Sequence, residues 1–141
     1  MTGSFGSRWP VAGALALLRR LKPDYIIGVV TNNRTAEQEE KLAFLGMSGL
    51  VDALITSESV GVLKPDPAIY QVALEQLRAA PAETVMVGDN WLADVVGALA
   101  VGIRPVWLNR HGAARPLAQV PELGSLEPLD QVCGVITGRQ G

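Results

Sequence analysis

Apolar positions change their rhythm along this chain at regular intervals. Val11, Leu15, Leu18 and Leu21 recur with a period near 3.6 behind Pro10, which predicts a helix over 10–21 that Pro23 stops. The run YIIGVVT at 25–31 is almost continuously apolar and β-branched. A strand without polar alternation is buried on both faces, as strands of parallel sheets are. Thr35 with Gln38 reads as a capping box, Glu37 and Lys41 as an i,i+4 pair, and Gly46 as the end of that helix. DALITS at 52–57 predicts a second strand, and Asp66 followed by Pro67 predicts an N-cap and first helical residue. Ile69, Tyr70, Ala73, Leu74 and Leu77 then form the apolar stripe of that helix. TVMVG at 84–88, a helix over 92–100 closed by Gly102, RPVWLN at 104–109, and a last helix near 126–135 complete the alternation.

Alternating strands and helices predict an α/β fold, a doubly wound, mostly parallel sheet with helices on both faces. Ligands of such sheets lie outside the carboxyl ends of the strands. The residues expected there are Thr31, Asn32 and Asn33, then 57–64, then Asp89 and Asn90.

Composition narrows the class. The 141 residues suit one domain, with 1–9 as a glycine- and serine-rich leader and 10–137 as the core. With 48% hydrophobic residues, 18% charged residues and a formal charge of -2, the chain is globular and has no basic field to attract nucleic acid. The apolar-plus-glycine run 95–103 is far shorter than the ~18 residues of a membrane-spanning helix. VAGALALL is followed by Arg19, Arg20 and Lys22 where a cleavage site would fall, so an amphipathic helix is expected there and not a signal peptide. Cys133 is the single cysteine, which excludes an internal disulfide and makes the cytoplasm the expected compartment.

The chemistry expected at the strand ends is that of a phosphoryl site. Thr31 offers a hydroxyl, Asn32 an amide, Lys64 an ammonium, and Asp89 and Asp94 hard oxygen ligands. Side chains on a helix lean toward its N-terminus, so Asp94 leans back toward Asp89, and the two carboxylates suit one Mg2+ that keeps waters and a substrate phosphate as its other ligands. His111 in its glycine-rich loop is expected at the surface, Trp91 near the mouth of the site or in packing, and Trp9, Trp107 and Cys133 in packing.

VVTNN, LKPDPAIYQVAL and VMVGDNWLADVVGALAVGI, in this order and spacing, resemble motifs II, III and IV of the haloacid dehalogenase-like hydrolase superfamily, in its phosphatase-rich branch. The resemblance covers nearly all of 10–137 and implies a three-layer Rossmann-like core. It implies that Thr31 hydrogen-bonds the phosphoryl group with Asn32 beside it, and that Lys64 neutralises the attacking carboxylate and the phosphate. It further implies that Asp89 binds Mg2+, that Asp94 is a second ligand or orients its water, and that a small phosphorylated metabolite is hydrolysed through an aspartyl-phosphate. The departure is motif I. Asp24, Asp52, Asp66, Asp89, Asp94 and Asp130 include no Asp-x-Asp pair, and the cap domain that follows motif I in this branch has no counterpart. The expectation is a hydrolase core that turns over little by itself, with a noncatalytic phosphate- or metal-binding module as the alternative.

The family places its motif I strand between the strands of motifs II and IV, in the order 5-4-1-2-3. Without it, YIIGVVT and TVMVG face each other with unpaired backbone groups, which are costly when buried. Two outcomes are expected: direct pairing in a closed four-stranded sheet, or filling of the slot by another chain through self-association or a second polypeptide.

Overall fold

The computed structural model describes residues 2–3 and 12–138. Its sheet is parallel and six-stranded, in the order β3-β2-β1-β4-β5-β6. The strands are β1 (Thr2–Gly3), β2 (Gly28–Thr31), β3 (Ala53–Thr56), β4 (Val85–Gly88), β5 (Arg104–Leu108) and β6 (Glu122–Leu123). The helices are α1 (Ala14–Leu21), α2 (Thr35–Phe44), α3 (Ser57–Val60), α4 (Pro67–Leu77), α5 (Gly97–Ala100) and α6 (Leu129–Thr137). A π-helical segment, Trp91–Val96, runs directly into α5.

Neither outcome expected for the central slot is what the structure shows. The chain's own residues stand between β2 and β4: Thr2 pairs with Gly28 and Met86, and Gly3 with Val29 and Val87. Two parallel strands facing each other across a gap each need backbone partners, and a short extended stretch of the same chain supplies them. The readings of Trp9, Pro10 and Val11 lie outside the described residues.

Period-two alternation divides the core into two layers. On one face Val87, Val106 and Leu108 pack with Ala14, Leu17, Leu18 and Leu21 of α1 and with Val132 and Ile136 of α6. On the other, Val30, Ile55 and Met86 pack with Ile69, Tyr70 and Ala73 of α4 and with Ala98 and Ile103. All four residues of β2 are buried, as its unbroken apolar run predicts. No helix among the described residues is long and apolar enough to cross a membrane.

Local signals are realised unevenly. Asp66 caps α4 by accepting from the Ala68 N–H at 2.9 Å, with Pro67 as first helical residue. Gly46, at φ 72°, closes α2: its N–H reaches the Ala43 carbonyl while the Met47 N–H reaches that of Leu42. The capping box is not formed. Arg34 is the cap, and the Thr35 hydroxyl instead hydrogen-bonds that of Thr56 at 2.7 Å while Gln38 accepts from the Asn33 amide at 2.9 Å. Burial of the start of α2 against β3 gives these side chains tertiary partners in place of local ones.

Candidate active site

The carboxyl ends of β2, β4 and β5 open onto a cavity of about 480 Å³. Thr31, Asn32, Lys64, Asp89 and Asp94 all line it, so the structure brings together the five residues singled out from the sequence.

Each is fixed by its own element. Thr31 ends β2 and is buried; its Oγ1 accepts the Asn33 N–H at 3.1 Å, which leaves its own proton to donate. The Asn32 Oδ1 accepts the Lys64 backbone N–H at 2.8 Å, and its amide donates to the Lys64 carbonyl at 3.5 Å. Asn32 therefore ties the loop before α4 to the end of β2. The Lys64 ammonium donates to Asp94 Oδ1 at 2.6 Å, and both side chains are almost wholly buried, at 5% and 1% exposure. Asp94 Oδ2 accepts the Asn90 N–H at 3.0 Å. Burial pushes the Asp94 carboxyl above its ordinary range, and Lys64 and the Asn90 N–H pull it partly back.

The segment carrying Asp94 is wider than the helix expected over 92–100. Gly97 donates to Leu92, five residues back, as well as to Asp94. Its first turn is capped by Asn90, whose Oδ1 accepts the Ala93 N–H at 2.9 Å. The Tyr70 hydroxyl donates to the Ala93 carbonyl. Burial, and secondarily the Asp94 charge, raise the Tyr70 pKa far above its ordinary value, so it remains a donor. A Cβ at Gly97 would stand 2.7 Å from Tyr70, and one at Gly88 only 2.3 Å from Asp94 Oδ2. Both glycines exist for close approach.

The parts that some of these contributors play were not marked in the sequence. Asn90 carries the cap signal of an asparagine three residues before Ala93, but Tyr70 reads only as core. Trp107 is buried packing, as expected, and its indole N–H also donates to the Asp89 carbonyl at 3.1 Å. Its ring meets Trp91 edge-on, with centroids 4.8 Å apart. His111 is exposed and lies on the rim of the same cavity.

The donor set bears on the expected metal. Among the described residues no group of three or more His, Cys, Asp and Glu side chains is placed to hold an ion. Each Asp94 oxygen accepts one hydrogen bond and keeps a further lone pair, and Asp89 is half-buried at the cavity wall, so these two carboxylates are the ones that fit a hard cation completing its shell with water and substrate oxygens.

Comparison with known proteins bears on the family. Pyrimidine 5′-nucleotidase YjjG of Escherichia coli is 35% identical over 126 residues, covering 87% of this chain and 56% of the relative. The crystal structure of a HAD phosphatase from Thermococcus onnurineus superposes with a TM-score of 0.80 at 34% identity, over 87% of this chain and 57% of that one. The magnesium-bound putative HAD-hydrolase YfnB of Bacillus subtilis gives a TM-score of 0.77 at 26% identity, over 86% and 54%. The chain thus spans a little over half the length of these proteins. A family model described as haloacid dehalogenase-like hydrolase matches residues 7–102, and with the α/β core and the clustered site residues it shows that this chain belongs to the haloacid dehalogenase-like hydrolase family.

Proposed function

We propose that the cavity is the phosphoryl-binding part of a phosphate-ester hydrolase site acting on a small phosphorylated metabolite. The observation that carries this reading is the buried Lys64–Asp94 pair at a sheet edge that also presents Thr31, Asn32 and Asp89. A buried lysine held by a carboxylate keeps a positive pole fixed in a low-dielectric pocket, where it acts on phosphoryl oxygens without reorganisation. Thr31 donates its hydroxyl proton to the same group, and Asn32 sets the position of Lys64 through its backbone. Asp89 would hold Mg2+, with Asp94 acting through Lys64 and Asn90; when bound, the ion neutralises charge on the phosphoryl oxygens.

The family's covalent step needs an aspartate nucleophile in an Asp-x-Asp pair, and these 141 residues contain none. Charge stabilisation does not replace a missing nucleophile, so this chain by itself binds phosphate and turns over little. Titration with inorganic phosphate and Mg2+ should shift the amide resonances of Asn32, Asn33, Lys64 and Asn90, while p-nitrophenyl phosphate is not steadily hydrolysed. Absence of those shifts would overturn the phosphoryl reading, and steady hydrolysis abolished by Asp89→Ala would overturn the predicted inactivity.

A further inference from the structure

The loop after β5 places a second cation on the cavity wall. Arg110 lines the cavity with Lys64, Asp89 and Asp94, and its Nη1 is buried with no hydrogen-bond partner. A guanidinium has no acceptor capacity and five donors, so a shielded donor without a partner is a standing cost unless a ligand supplies an acceptor. The loop that carries it has a fixed shape. The Asn109 amide donates to the Ala113 carbonyl at 2.8 Å and to Glu122 at 3.2 Å, and Asn109 Oδ1 accepts the Ala113 N–H at 3.0 Å.

Charge and position together say what that ligand group is. Lys64 and Asp94 cancel each other, so among the described lining residues Asp89 and Arg110 are the remaining permanent charges. The phosphoryl group belongs between Thr31 at the end of β2 and Asp89 just after β4, two strands that flank β1. Arg110 follows β5, one strand beyond β4 and on the side away from β2. With strands about 4.8 Å apart, the end of β5 lies roughly 10 Å from that of β1, over which the phosphoryl group belongs. Arg110 therefore approaches from the β5 side, toward what is attached to the phosphoryl group.

We propose that Arg110 is a specificity residue that accepts, on the leaving portion of the substrate, a second anionic group such as a carboxylate. This rests on the phosphoryl reading of the cavity. The test is an NMR titration of the 141-residue chain with three probes: inorganic phosphate, glycerol 3-phosphate and 3-phosphoglycerate, the last two differing by a carboxylate. The unaltered chain should prefer 3-phosphoglycerate over glycerol 3-phosphate by about tenfold, the size of one charge-assisted hydrogen bond. Arg110→Gln should erase that preference while leaving inorganic phosphate affinity within about twofold, and Arg110→Lys should keep part of it. Unchanged thermal melting of both variants confirms that each remains folded. An intact preference in Arg110→Gln overturns the proposal, and so does an equal loss for all three probes, which would put Arg110 in the phosphoryl cradle. Failure of the unaltered chain to bind inorganic phosphate defeats the phosphoryl reading first and the proposal with it.

Discussion

Gly88 shows how closely the site is built. A methyl group there would occupy the space of the Asp94 carboxylate, with contacts of 2.3–2.5 Å to three of its atoms. Gly88→Ala must push Asp94 off Lys64, which separates a buried ion pair. Overpacking together with an uncompensated buried charge should cost about 3 kcal/mol or more in urea unfolding. A cost under about 1 kcal/mol would mean that Asp94 has slack the geometry does not show. Thr31, Asn32, Lys64, Asp89 and Asp94 were legible in the sequence because residue type and spacing carry them. The partnership of Asp94 with Lys64 was not, since it depends on how far a lysine in a loop reaches across to the π-helical segment after β4. Arg110 was not legible either: one basic residue in a glycine-rich loop has no periodicity to mark it.

At the scale of elements, most of the alternation read from apolar periodicity is present, with ends shifted by up to four residues. What local pattern does not hold is the width of a helix turn or the tertiary use of a cap residue. Within the π-helical segment Ala93 is bonded by Tyr70, which comes from another part of the chain and packs against Gly97, and Thr35 and Gln38 are drawn to Thr56 and Asn33. β6, two residues long, carries too little pattern to find. The junction of α1, β2 and β3 rests on Asp52. Its carboxylate accepts the Ile27 N–H at 2.7 Å and the Lys22 ammonium at 2.5 Å, and its own N–H donates to the Ile27 carbonyl at 2.7 Å. The Ile27 N–H first, and Lys22 second, hold its pKa below the ordinary carboxylate value. A lowered folded-state pKa contributes stability that is present above the unfolded-state value and is lost as pH falls through the folded one. Asp52→Asn should therefore destabilise the protein at neutral pH, with the gap to the parent closing below about pH 4. Chemical denaturation at a series of pH values measures this, and a gap that persists unchanged in acid would refute it.

At the scale of the whole molecule, the sheet is centred on a strand from the start of the chain. Among the described residues Thr2 and Gly3 join β1 to both neighbours, and β2 with β3 and β4 with β5 are each joined over four positions. Periodicity did not reveal this, because 1–9 is glycine- and serine-rich and carries no strand signal. Hydrogen exchange should find the amides of β2 and β4 that face β1 protected, as those facing β3 and β5 are. Free exchange on the sides that face β1 would contradict it. The place of β1 between β2 and β4 is also where a strand from outside can be offered to the sheet. A synthetic peptide of about seven β-branched residues ending in Asp-x-Asp carries ladder donors and acceptors of its own, and should compete with Thr2 and Gly3 for β2 and β4. The same chain then becomes a scaffold for fragment complementation, in which tightness of peptide capture and recovery of hydrolysis are read in one titration.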